Sequence, residues 1–196
     1  MTSEYDDSIW ELVEPGGREP DGRLAARVRP FTEGVEAVLD LGCGDGLYLA
    51  ALGEQGALVH GADRSRVALT RAAAAAPDAL LHEVGANERL TLEDTVVDRV
   101  WCCDTLEHVL DTQTVLSEAR RVLRPGGALL VVTPDHPRRL RLRLALGGWE
   151  EHFDPFSPHL RFYTARSLTA ALEDCGFSVR QIEREAGALV VLARRA

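Results

Sequence analysis

No apolar run in this sequence approaches the roughly 18 residues that a membrane-spanning helix requires. Its first stretch, MTSEYDDSIWELVEP, is acidic and lacks the charged-then-apolar order of a signal peptide. The expectation is therefore a cytoplasmic protein with no membrane partner. Cysteine is scarce, with Cys43, Cys102, Cys103 and Cys175 the only four. No CxxC pair exists to hold zinc, and the adjacent Cys102 and Cys103 are too close for an unstrained bridge, so all four read as reduced thiols. Basic residues are outnumbered by acidic ones, 22 to 31, and the net charge of −9 opposes a phosphate backbone. Nucleic acid is thus not an expected substrate. A P-loop is excluded as well, because no Gly-Lys-Ser/Thr occurs.

What is present suits a single folded domain. The 196 residues are 45% hydrophobic and 27% charged, enough to close one core. After an amino-terminal segment of about 34 residues, broken by Pro15, Gly16, Gly17, Pro20 and Gly22 and carrying a short helix and a second near Leu24–Val28, the pattern becomes regular. Short apolar runs predict strands at Glu36–Leu41, Ala57–Ala62, Ala79–Glu83, Thr95–Cys103 and Ala128–Thr133. Helical patterns fall between them at Leu47–Gln55, Ser65–Ala76 and Asp111–Leu123, and Arg124-Pro-Gly-Gly is read as a breaker. Such alternation implies a parallel sheet covered on both sides. The end departs from it: a helix at Ala165–Cys175 is followed by strands at Phe177–Arg184 and Ala188–Ala193. The link between them, Glu185-Ala-Gly187, is so short that they must form an antiparallel hairpin.

Between the first strand and the first regular helix lies Asp40-Leu-Gly42-Cys-Gly44-Asp-Gly46. Glycines there permit a sharp turn and let backbone N–H groups approach a ligand at the carboxyl end of the strand. An ordinary glycine-rich turn is the other reading. The second strand ends near Asp63, about twenty residues past Gly42, where an acidic group suits the two hydroxyls of a ribose or simply caps the next helix. A dinucleotide fold calls for G-x-G-x-x-G, whereas here the third glycine comes one position early and Leu47 takes its place.

The segment VLDLGCGDG (Val38–Gly46) resembles the first motif of class I S-adenosylmethionine (SAM)-dependent methyltransferases. Four further pieces extend the resemblance in order: Asp63, DRVWCCDTLEHV (Asp98–Val109), Leu123-Arg-Pro-Gly-Gly127 and SLTAALEDCGF (Ser167–Phe177). It implies a Rossmann-like α/β sandwich, a seven-stranded sheet ordered 3-2-1-4-5-7-6 with strand 7 antiparallel. It also implies SAM as cofactor, held by Asp40, Gly42, Cys43, Gly44, Gly46, Asp63, Arg64 and Cys103. Many relatives have Asp-Ala-Glu after the third strand, with the aspartate on the adenine amino group. Here the tripeptide is Ala86-Asn87-Glu88, so Asn87 or backbone must serve.

SAM brings its own electrophilic methyl, so the chain must position a nucleophile and, for a hydroxyl, take its proton. Histidine suits that task near neutral pH. His108 follows the fourth strand. The segment Trp149–Tyr163, within a substrate-side insertion spanning 134–163, offers His159 first and His152 second among aromatics that suit a pocket wall. Covering the core is the plainer role for those side chains. The spacing of His152, Asp154 and His159 fits no metal template, and no metal is expected. Arg138–Arg143 is a basic cluster that either steers an anionic substrate or forms a solvated helix face. Tyr5 and Trp10 either pin the amino-terminal segment or close over the site. The expected activity is methyl transfer to a small molecule, at oxygen. The alternatives are a SAM-binding protein without catalysis and a nicotinamide-dependent oxidoreductase.

Overall fold

A computed structural model describes residues 3–85, 89–147 and 159–196. Seven strands form one sheet: β1 Ala37–Leu41, β2 Leu58–Asp63, β3 Leu80–Glu83, β4 Val97–Cys103, β5 Leu123–Pro134, β6 Phe177–Glu185 and β7 Ala188–Arg195. Their order is β3-β2-β1-β4-β5-β7-β6. Neighbours from β3 to β5 are parallel, and β7 runs antiparallel to both β5 and β6. The β6–β7 turn places Ala186 (φ 49°) and Gly187 (φ 90°) in the left-handed region, the backbone that matches the twist of a tight hairpin.

Period-two alternation divides the core. Leu39, Val100, Cys102, Leu129, Val131, Leu189 and Val191 face one layer, where α5 (Thr112–Val122) contributes Leu116 and Ala119 and α7 (Ala165–Asp174) contributes Leu168 and Leu172. Val38, Trp101, Leu130, Val132 and Val190 face the other. There they meet Val28 and Phe31 of α2 (Gly22–Thr32), Leu49 and Leu52 of α3 (Leu49–Gly53) and Ala72 of α4 (Arg66–Ala75). Each such Leu or Val is worth about 1.5–3 kcal/mol of burial, so both faces of the sheet need a covering layer. The completing helices are α1 (Ser3–Leu12) and α6 (Arg138–Ala145). No helix among the described residues is long and apolar enough to cross a membrane.

Two elements differ from their sequence patterns. Arg124-Pro-Gly-Gly does not break the chain before the fifth strand. β5 begins at Leu123, paired with Val97, and the register shifts so that Ala128 pairs with Arg99, making the segment an irregularity inside one long strand. The helix expected over Leu47–Gln55 shrinks to Leu49–Gly53, with Leu47 and Tyr48 in the turn that follows Gly46 (φ 90°) and Glu54 and Gln55 in a turn past its end.

Candidate active site

The carboxyl ends of β1, β2 and β4 open on a cavity of about 340 Å³. Asp40, Gly42, Cys43, Gly44, Asp63, Arg64, Cys103 and His108 all line it. Gly46 does not. A Cβ there would meet Ala72 of α4 at 3.0–3.3 Å, so this glycine serves helix packing rather than the cavity wall. Asn87 and His152 lie outside the described residues, as does Asp154.

Local backbone chemistry builds the floor. The N–H groups of Gly42 and Cys43 both donate to the Ala62 carbonyl, at 2.8 and 3.0 Å, tying the turn after β1 to the end of β2. Gly42 has φ 79°, and a Cβ on it would fall 2.2 Å from the Thr105 hydroxyl, which itself donates to the Leu41 carbonyl at 3.0 Å. Only glycine allows β4's following loop to approach that closely.

Two acids, Asp40 buried and Asp63 partly buried, dominate the electrostatics. One oxygen of Asp63 accepts from Gly44 N–H and the other from Ser65 N–H, both at 2.9 Å. Burial nevertheless pushes its carboxyl upward, against those hydrogen bonds. Asp40 is deeper. Burial, then the nearby charge of Asp63, pushes it up to about 8, and no described residue hydrogen-bonds its carboxylate. An acid this costly to ionise, on the wall of a cavity and beside another acid, is suited to a cationic ligand that restores its charge.

α1 supplies the roof. Tyr5, Asp6, Ile9 and Trp10 face the cavity. A Cβ on Gly44 (φ 53°) would fall 2.6 Å from the Trp10 ring, so the indole lies directly on the glycine turn. The Arg18 guanidinium sits 5.5 Å from the Trp10 ring centroid and 3.6 Å from the Asp45 carboxylate. Asp7 accepts from the Ser65 hydroxyl at 2.7 Å and from Val67 N–H at 3.2 Å, and Arg71 donates to the Val13 carbonyl. Asp6 pairs with Arg64 at 3.4 Å, yet burial still pushes its carboxyl above the usual range. Both sequence readings of Tyr5 and Trp10 thus describe one arrangement: the segment is pinned, and it covers the site.

Beside His108, which lines the cavity while Glu107 and His159 do not, the Glu107 carbonyl accepts from Leu160 N–H (2.7 Å) and Arg161 N–H (3.0 Å), holding the loop that carries His159 against the loop that carries His108. The two imidazoles meet edge-on with centroids 4.9 Å apart. Glu107, absent from the sequence-based candidates, joins them: a ligand atom from each of the three lies within 4.8 Å of the others. Its Oε2 accepts from the Thr133 hydroxyl at 3.0 Å, while Oε1 is buried without a hydrogen bond from any described residue, and burial pushes the acid up to about 7. His159 is held below its ordinary value, by burial first and by the charge of His108 second. Three proton-accepting groups in mutual reach can pass a proton, and the same geometry would admit a cation. The four thiols are free, and burial pushes Cys43, Cys102, Cys103 and Cys175 upward, away from the nucleophilic thiolate.

Residues 17–182 match the family described as "Methyltransferase domain". A probable S-adenosylmethionine-dependent methyltransferase of Mycolicibacterium smegmatis is 34% identical over 142 residues, covering 72% of this chain and 52% of that protein. A ubiquinone biosynthesis O-methyltransferase of Aeromonas salmonicida is 28% identical over 154 residues, covering 74% and 64% respectively. The chain therefore spans about half to two-thirds of the length of these curated relatives. Among solved structures, the [4+2]-cyclase SpnF superposes with a TM-score of 0.78 at 19% identity, covering 99% of this chain and 96% of that one. That likeness speaks to fold alone.

Proposed function

The chain belongs to the class I SAM-dependent methyltransferases, and from that premise we propose that it binds SAM in the cavity beneath α1 and methylates a small-molecule acceptor at oxygen. The observation that carries this reading is the Asp40–Asp63 pair, a buried and a partly buried acid with no basic partner bonded to Asp40, set beside a glycine turn over which the Trp10 ring lies. SAM carries a sulfonium and an ammonium against one carboxylate, so its net charge is of the sign this wall lacks. Asp40 and the backbone of Gly42 to Gly44 would hold the methionine part, and Asp63 and Arg64 the ribose side. Cys43 and Cys103 complete the wall, with Asn87 serving the adenine. Gly46 supports the turn from behind.

When bound, the cofactor supplies an electrophilic methyl, and its sulfur keeps the electron pair of the broken C–S bond. This chain's own residues do the rest. His159, with His108 against it, takes the proton that the acceptor oxygen loses as its new C–O bond forms. Glu107 stands behind the imidazoles to balance the charge that arrives. His152 belongs to the same segment as His159 and is the second candidate for that proton. Residues 134–163 form the substrate side, and α1 keeps water from the transferring methyl.

Calorimetric titration with SAM and with its demethylated product is the direct test, repeated on Gly44→Arg and Asp63→Ala. Saturable binding weakened by both substitutions, followed by methylated product from screened hydroxyl acceptors, is the expected result. A folded chain that binds neither ligand would overturn the proposal. Binding without product from any acceptor class would favour the non-catalytic reading instead.

A further inference from the structure

Four of the eight positions of α6 are arginine (Arg138, Arg139, Arg141 and Arg143), and no acidic residue occurs from 136 to 149, in a chain whose net charge is −9. On the same helix Leu142 is 62% exposed, and Leu146, just past the helix end and donating its N–H to the Leu142 carbonyl at 3.1 Å, is 79% exposed. The i, i+4 spacing puts these two leucines on one face, while Leu140 and Leu144 are only half exposed. Arg139 is exposed. The apolar surface continues beside the helix. The His136 ring, just before α6, meets Phe162 edge-on at 5.2 Å, and Phe162 is itself exposed, as are Leu160 and Leu110. Arg161 donates to the Leu110 carbonyl, so these residues border the loops that carry His108 and His159.

We propose that α6 and this neighbouring apolar rim dock the protein on an anionic lipid surface. A solvated helix face explains the arginines but leaves two wet leucines on one side of the helix without a purpose. A phosphate polymer would take the charge but has no use for the leucines either. Cationic charge and an exposed apolar face on one helix are together what an interfacial helix requires. The cluster acts locally, because charges elsewhere on the chain are screened beyond about 10 Å. No spanning helix is needed for such attachment, so the docking departs from the sequence-based expectation of no membrane partner. Resting on the methyl-transfer reading, it also names a substrate class: an apolar acceptor that partitions into the bilayer and meets His159 at the membrane-facing rim.

The test is sedimentation of the full chain with vesicles of phosphatidylcholine alone, and with vesicles in which phosphatidylglycerol is about a third of the lipid. Binding to the anionic vesicles should exceed binding to the neutral ones by at least about tenfold and weaken in high salt. Arg139→Gln should weaken it about fivefold, and Leu142→Ser with Leu146→Ser about tenfold or more. SAM affinity serves as the check that each variant is folded. The inference is overturned if the wild-type chain stays in the supernatant with anionic vesicles, or if the double leucine variant sediments as well as the wild type. It is equally overturned if duplex DNA retains the chain at a salt concentration where vesicles do not. A wild-type chain shown folded by circular dichroism that sediments with anionic vesicles but binds no SAM would sink the methyl-transfer reading instead and leave the docking standing.

Discussion

A single carboxyl group, that of Asp40, makes the cofactor reading quantitative. Its folded value of about 8 lies above the usual carboxylate range, so the folded state holds a proton that the unfolded chain releases. Its contribution to stability is therefore full below about pH 4 and is lost progressively as pH rises to about 8. A bound cation reverses the preference by stabilising the carboxylate, so SAM binding below pH 8 must expel a proton. Affinity for SAM should then rise with pH between about 6 and 8, by up to tenfold per unit, and proton release should appear in calorimetry in buffers of different ionisation heat. Asp63 is shifted in the same direction, by burial first. Asp40→Asn should bind more weakly and flatten the dependence, and a wild-type affinity independent of pH would remove Asp40 from the cofactor site. His159 is argued on separate grounds. His159→Ala should lower kcat by about 10²–10⁴-fold, the usual worth of a general base, with SAM affinity unchanged. An equal loss in SAM affinity would assign it to the cofactor wall instead.

At the scale of elements, α1 is the part that the family resemblance leaves unexplained, since the matched region begins at residue 17. Among the contacts that hold α1, one hydroxyl serves two elements. Ser65 accepts from Ala68 N–H at 3.1 Å as the cap of α4 and donates to Asp7 of α1 at 2.7 Å. Ser65→Ala should remove both bonds, costing about 0.5–2 kcal/mol for the cap alone and loosening the roof as well. Hydrogen exchange should show α1 losing protection while β1 and β4 keep theirs. Equal loss in all three would mean that α1 is an integral layer rather than a cover. Trp10→Ala should likewise weaken SAM binding without lowering the melting temperature by more than a few degrees. The sequence could not show this, because Trp10 against Gly44 and Asp7 against Ser65 are contacts between segments 34 and 58 residues apart, and no local period encodes them.

Across the whole molecule, legibility follows the range of the interactions. The strands and the terminal hairpin were readable because apolar runs and turn residues act over a few positions, as in Ala128–Thr133 and at Ala186-Gly187. Asp40, Gly42 and Asp63 were readable for the same reason: a turn after one strand and an acid after the next. Glu107 was not, although it stands next to His108 in the chain, since its role comes from burial under Thr133 and from the return of the 159–161 loop. The breaker at Arg124–Gly127 misled because pairing with β4 overrides local propensity. What no local signal decides is whether cavity, roof and acceptor end act as one ligand-binding unit, and a whole-molecule measurement addresses that. A ligand that binds only the folded state at a hundred times its Kd adds about 2.7 kcal/mol. For a chain of this size that is a rise in melting temperature of about 5–10 °C. SAM should produce it, Gly44→Arg should abolish it, and a nicotinamide dinucleotide should have no effect, because the third glycine of the turn comes one position early for the dinucleotide pattern. A shift with the dinucleotide and none with SAM would move this cavity to redox chemistry, whatever the sheet order implies.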